Sequence, residues 1–182
     1  MKTFILLLSI SLPVIIFSQD VHSLGEGESS NEVSMKEVSG KNIDGVYRYY
    51  KEGADEPYSG VLYSSFPNGQ TDSWQEYKEG VGQGKWINYY KNGKIKEIGN
   101  YENNLVQGSI KKYYENGNLK AEGTYKDWRI KVGVWTYYNS DGIPTDTVDY
   151  GQKGSLEEVQ EYYERGEISQ RWYVSIMRKN GF

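Results

Sequence analysis

The chain has 182 residues, a net charge of −4, no cysteine, 18 tyrosines and five tryptophans. That length holds one domain or one short array of repeats. With 25 acidic against 21 basic residues it lacks the clustered positive charge that nucleic-acid binding needs, and without thiols it has neither disulfides nor thiol chemistry.

Met1-Lys2-Thr3 is a short basic start, and the run from Phe4 to Phe17 is almost wholly apolar. Phe17-Ser18-Gln19 then leads into Asp20. Residues 1–19 read as a secretory signal peptide, cleaved after Ser18 or Gln19. The apolar run is shorter than the roughly 20 residues that span a bilayer, which argues against an uncleaved anchor. The expected location is the periplasm or the outside of the cell. Residues 20–44 are polar and interrupted by Gly25, Gly27, Ser29, Ser30 and Asn31, the composition of a disordered leader.

From residue 45 to residue 174 one pattern recurs. Units begin at Gly60, Gly84, Gly108, Gly133 and Glu157, place an apolar or aromatic residue two positions on, and continue through a Tyr/Phe-rich pair to a glycine. These turn glycines are Gly69, Gly93, Gly117, Gly142 and Gly166, spaced 24, 24, 25 and 24. Four units close on Tyr77, Tyr101, Tyr125 and Tyr150. A fixed period of this size marks a repeat architecture. Gly45 to Gly53 reads as a shortened opening unit, and residues 175–182 as a C-terminal tail.

Each unit reads as a β-hairpin. Asn68-Gly69, Asn92-Gly93 and Asn116-Gly117, with Asp141-Gly142 and Arg165-Gly166 as variants, lie between β-type runs and suit a type I′ turn, which needs φ > 0 at both central residues. A two-residue turn at Asn92-Gly93 sets Tyr90 opposite Ile95, Tyr89 opposite Lys96, Asn88 opposite Glu97, Trp86 opposite Gly99 and Tyr101 opposite Gly84. The next unit sets Tyr114 opposite Leu119, Tyr113 opposite Lys120, Lys111 opposite Glu122, Ile110 opposite Gly123 and Tyr125 opposite Gly108. Tyr77 falls opposite Gly60, and Tyr150 opposite Gly133. Glycine is a poor strand residue, and a ring laid across it covers the bare backbone.

Side chains alternate along a strand, so Trp86, Tyr90, Tyr101, Tyr114, Tyr125, Trp135 and Tyr150 form one aromatic face, the candidate binding or packing face. The other face is mixed and wet. Short polar links join the hairpins into a meander. Ser155 to Glu164 carries a Ser-x-x-Glu helix start, but the spacing of Tyr162-Tyr163 and Gly166 favours a strand, with Val159 opposite Trp172. The predicted fold is all-β: an elongated, single-layer antiparallel meander of stacked hairpins with almost no helix. A single layer leaves its apolar face in need of cover, from curling of the sheet, the leader, the C-terminus or a partner.

Gly84 to Tyr101 resembles the MORN repeat in its bacterial variant form, roughly Gly-x-Trp-x-x-Tyr-Tyr-x-Asn-Gly and then a strand ending Gly-x-Tyr. Gly108 to Tyr125 keeps the pattern with Ile110 for the tryptophan. Gly133 to Tyr150 keeps Trp135 but has Val148 for the second-strand glycine. The unit from Gly60 has Leu62 and Phe66, and the unit from Glu157 is degenerate, as terminal caps often are. The resemblance implies scaffolding and protein–protein contact, with membrane-lipid association for some members. It also implies an antitoxin label for many bacterial ones, which presumes a cytoplasmic toxin partner and so conflicts with a signal peptide.

Chemistry has few carriers. The only histidine is His22, in the leader. No phosphate loop or metal-ligand cluster is seen, and carboxylate pairs such as Glu157/Glu158 and Asp146/Asp149 are what 25 acids bring about by chance. No cofactor, metal or catalytic residue is expected. The reading is a non-catalytic exported module that binds a protein partner through its aromatic face. Two alternatives stand beside it: a carbohydrate-binding module, because rows of Tyr and Trp suit sugars, and an antitoxin- or immunity-type protein. Lys91, Lys94, Lys96, Lys111, Lys112 and Lys120 gather in two hairpins, but interleaved acids make them a solvated face rather than a lipid site.

Overall fold

A computed structural model describes residues 31–182; the expected signal peptide and the expected leader to residue 30 lie outside the described residues. Among the described residues the chain runs β1 (Glu32–Ser34), a 3-10 turn (Met35–Glu37), β2 (Val38–Ile43), β3 (Val46–Lys51), β4 (Gly60–Ser65), β5 (Thr71–Lys78) and β6 (Val81–Tyr89). It continues through β7 (Ile95–Glu102), β8 (Leu105–Tyr113), β9 (Leu119–Lys126), β10 (Ile130–Tyr138) and β11 (Pro144–Asp149) to α1 (Glu157–Glu164) and α2 (Gln170–Lys179). One sheet has the order β1-β4-β5-β6-β7-β8-β9-β10-β11, and β2 pairs with β3 apart from it. From β4 onward each strand pairs antiparallel with the next, the predicted meander of stacked hairpins.

Below the hairpin tips the predicted register holds. Asn88 faces Glu97, Trp86 faces Gly99 and Gly84 faces Tyr101. Lys111 faces Glu122, Ile110 faces Gly123 and Gly108 faces Tyr125. Gly60 faces Tyr77, and the Tyr150 N–H donates to the Gly133 carbonyl at 2.9 Å.

At the tips the register differs from prediction. Tyr89 faces Ile95 and Tyr113 faces Leu119. The Tyr90 N–H donates to the Lys94 carbonyl at 2.8 Å, and the Gly93 N–H to the Tyr90 carbonyl at 2.9 Å. Of the loop residues only Gly93 has a positive φ, at 80°. The loop therefore has three residues, Lys91-Asn92-Gly93, a type I turn closed by a left-handed glycine instead of a two-residue type I′ turn. Such a loop displaces the register by one residue, and a bulge at Lys96 displaces it back. That compensation is why the pairs further down come out as predicted.

Gly69, Gly117 and Gly142 close loops of the same kind. Asn68, Asn92 and Asn116 brace theirs by accepting, on Oδ1, the N–H two residues on. Turns with both central residues left-handed do occur, but at the opposite end of the strands, at Glu79-Gly80 and Asn103-Asn104.

Both ends of the chain depart from the repeat. Residues 31–44, expected to be disordered, carry β1 and β2. The shortened opening unit supplies β3, which pairs with β2 rather than with the next repeat. This hairpin folds onto the aromatic side of the sheet. The Tyr49 N–H donates to the Gly80 carbonyl at 2.9 Å, and the Tyr49 ring meets Tyr77 edge-on, centroids 5.3 Å apart. Val33 and Tyr58 pack there against Leu62 and Tyr77.

The expected fifth hairpin is a pair of helices, and helix makes up 14% of the described residues. A helix does begin at the Ser-x-x-Glu signal, but without the capping box: the N-cap is Leu156, with no side-chain cap, while Ser155 Oγ accepts the Glu157 N–H at 3.2 Å and Glu157 and Glu158 occupy the positive first turn of α1. Gly166, read as a hairpin glycine, is left-handed at φ 72° but ends a helix. Its N–H reaches the Tyr163 carbonyl and that of Glu167 reaches Tyr162, the paired bonds of a Schellman cap. Val159 does not face Trp172 across a hairpin; it is fully buried with Ile130 and Ile176. Residues 175–182 are not a separate tail, because α2 continues to Lys179 with its N-cap at Ser169 and two basic residues in its last turn.

Candidate functional site

The inner face of the sheet gathers most of the residues singled out from the sequence. Trp86 (1% exposed), Tyr125 (2%) and Trp135 (0%) are buried in one cluster with Val106, Ile110 and Ala121, and Tyr101 and Tyr150 pack against it half-buried. Glycines make this possible. Gly99 lies opposite Trp86, where a Cβ would stand 3.0 Å from that ring and 2.9 Å from Ile110 Cδ1. A Cβ on Gly123 would fall inside the Trp135 ring of the next hairpin. So rings do cover glycines, but some reach over from the neighbouring repeat.

Tyr90 and Tyr114 lie apart from this cluster, at the tips. Their hydroxyls donate at 2.7 Å to the carbonyls of Tyr113 and Tyr138, one repeat further along. They staple neighbouring hairpins to each other.

At the C-terminal end of the inner face sits a buried charge cluster that the sequence did not disclose. Arg129 touches Glu97 at 3.0 Å and Glu158 at 2.9 Å, while Lys112 touches Glu158 at 2.8 Å and Glu97 at 3.6 Å. Tyr125 donates its hydroxyl to Glu158 at 2.6 Å. Burial alone would raise the Glu158 carboxyl, but Lys112 and Arg129 outweigh it and hold that group below the usual carboxylate range. Burial would lower the Arg129 guanidinium, but Glu97 raises it further, so it stays charged. Burial also raises the Tyr125 and Tyr162 hydroxyls, the latter to about 12, against the opposing pull of Arg129.

Arg129 reaches this position from an unusual loop. Asp127, Trp128 and Arg129 are consecutive left-handed residues, with φ of 44°, 68° and 64°. Each such conformation costs on the order of 1–3 kcal/mol and persists only where its surroundings over-determine it. Here the Arg129 head is held by two carboxylates and lies over the rings of Trp86 (5.4 Å) and Tyr162 (4.8 Å). Glu158 thus locks α1 onto the sheet. The candidate aromatic face is a filled interior, covered at one end by β2–β3 and at the other by α1 and α2.

The outer face is open. A trough of about 600 Å³ crosses it from β6 to β10, lined by Lys85, Asn100, Ser109, Lys111, Thr124 and Thr136 among others. Glu122 and Val134 also line it. Val134 is 58% exposed. Lys111 stands 3.8 Å from Glu122, which accepts the Tyr138 hydroxyl at 2.7 Å. Tyr89, Tyr113 and Tyr138 are all half-buried and stand at the same position in successive repeats, on β6, β8 and β10. Alternation along each strand gives them to this face. That alternation is the signal that was legible: each Tyr-Tyr pair sends one ring to each side.

Among the described residues no group of three or more His, Cys, Asp or Glu is gathered as metal ligands would be. The architecture defines a class first, an open β-repeat array with a self-covered inner face. The family model of the MORN repeat variant matches residues 83–103 and 106–127, the β6–β7 and β8–β9 hairpins that carry most of the trough. These two units match the MORN repeat in its variant form. The family is a non-enzymatic repeat type whose members are generally protein- or membrane-binding modules. No curated protein matches the chain.

Proposed function

We propose that this protein is an exported, non-catalytic binding module whose working surface is the outer face of the repeat array. The observation that carries this reading is the contrast in cover. The chain fills its own inner face with β2–β3, α1 and α2, and among the described residues none covers the outer face from β6 to β10. A repeat array offers an extended surface built from equivalent positions rather than a unique pocket, and a partner lying across several strands meets the same side chains at each step. The sequence favoured the inner aromatic face for a protein partner; the packing of Trp86, Tyr125 and Trp135 moves the proposal to the other side.

The test is retention of the full mature chain on fractionated cell-envelope material. Wild-type protein should be retained. Ser109→Glu and Thr136→Glu, which put charge into the trough, should abolish retention without changing the melting temperature. Equal retention of all three proteins would defeat the reading. Export is tested separately, by N-terminal sequencing of the native protein. A start at Gln19 or Asp20 is expected, and an intact Met1 in the cytoplasmic fraction would contradict it.

A further inference from the structure

We propose that the outer trough binds an extended, uncharged polysaccharide whose chain lies across the strands from β6 to β10. This rests on the reading that the outer face is the working surface, and adds to it the chemical class of the ligand.

Two observations carry it. The first is periodicity. Tyr89, Tyr113 and Tyr138 stand on alternate strands, β6, β8 and β10. Two strand spacings are about 9.5 Å, about the length of one disaccharide in an extended chain. A tyrosine ring combines an apolar body with a polar tip at low entropic cost. A pyranose likewise combines an apolar ring face with a rim of hydroxyls. The row therefore offers one such ring for every second sugar of an extended polymer.

The second is the chemistry of the trough beside the rings, whose lining residues Lys111 and Thr136 stand two positions before Tyr113 and Tyr138 on β8 and β10. Asn100, Ser109, Thr124 and Thr136 present uncharged amide and hydroxyl groups along its length. Such groups donate and accept at once, as the hydroxyls of a sugar require. Of the charged side chains, Lys111 and Glu122 are already paired. The Lys85 N–H is tied to Glu76 Oε2 at 2.6 Å, which fixes the strand beside the trough. Beyond the Lys111–Glu122 pair the trough carries the single cation of Lys85, short of the clustered positive charge that a phosphate backbone or an anionic lipid surface needs. Its apolar lining is Ile98, Ile110 and Val134, of which Ile110 is buried, Ile98 half-buried and Val134 exposed.

The experiment is calorimetric titration of the full mature chain with xylohexaose, cellohexaose, mannohexaose and the hexamer of N-acetylglucosamine, each beside its dimer. At least one hexamer should bind saturably, and about tenfold more tightly than its dimer, because only the hexamer spans more than one ring. Tyr113→Ala should weaken that binding by about tenfold, and Tyr113→Phe should retain it. Ser109 is exposed, so Ser109→Glu keeps the fold and should also abolish binding, which guards against loss of fold in the alanine variant. Absence of binding by every hexamer overturns the proposal. So does binding that survives both Tyr113→Ala and Ser109→Glu. If the hexamers fail while Ser109→Glu releases a protein captured from the envelope, the polysaccharide falls and the outer-face reading stands. If outer-face substitutions release nothing, both fall.

Discussion

The two faces of the sheet are built from the same repeated words and end in opposite conditions. On the inner face Trp86 and Trp135 lie over Gly99 and Gly123, and the chain's own termini close over the remainder. On the outer face the equivalent strand positions hold Lys85, Ser109, Lys111, Val134 and Thr136, and nothing in the described chain covers them. In the Tyr89-Tyr90 and Tyr113-Tyr114 pairs the second ring bonds to the next repeat and the first looks out, whereas in Tyr137-Tyr138 the first ring packs inward and the second faces out. A solenoid-like array needs one face for cohesion, and here the glycines decide which. On the side whose strands carry bare backbone, rings can lie flat against the sheet.

That contrast can be broken most severely at the charge cluster. Arg129→Met would leave Glu97 and Glu158 buried without their shared partner and release a loop of three left-handed residues. A loss of about 3–5 kcal/mol is expected by denaturant unfolding. Trp135→Ala should cost a similar amount, about 3–5 kcal/mol, through the cavity it leaves. Trp86→Phe should cost less, because Trp86 Nε1 has no hydrogen-bond partner to lose. Gly123→Ala pushes a methyl group into the Trp135 ring and should cost about 1–3 kcal/mol. On the outer face, Val134→Ala at a 58% exposed position should stay within about 0.5 kcal/mol.

Acidity sharpens the same comparison. The folded-state pKa of Glu158 is depressed. Its contribution to stability is therefore fully present above the unfolded carboxylate value of about 4.3 and is lost as pH falls through the lower folded value. Melting curves from pH 6 downward should show α1 and α2 loosening before the β6–β9 hairpins. Glu158→Gln should be less stable at neutral pH and should flatten that acid dependence. An unchanged acid profile in the variant would mean that Glu158 is not the lock.

Much of the array was legible because its determinants are local. The 24-residue spacing and the Asn-Gly pairs mark the hairpins, and the pairing of Trp86 with Gly99 and of Tyr125 with Gly108 follows from simple counting. The tips were mistyped because a two-residue turn, and a three-residue loop with a compensating bulge, give the same register below. The C-terminal helices were missed for a related reason. A left-handed glycine serves equally as a hairpin residue and as a helix stop, so Gly166 kept the period while changing its role. The Ser155 start signal beside it was the better guide. The cluster of Glu97, Lys112, Arg129 and Glu158 could not be read, since it joins residues of four separate segments that only the folded chain brings together.

The most direct test of the two-face account is hydroxyl-radical footprinting of the full chain, because it compares like side chains within one molecule. Trp172 is 43% exposed, whereas Trp86 and Trp135 are 1% and 0% exposed. Trp172 should label rapidly and the other two should be protected. Outer-face Tyr113 and Tyr138 should label well ahead of Tyr125. Labelling of Trp86 and Trp135 at the rate of Trp172 would mean that the termini do not close the inner face, and would contradict the account.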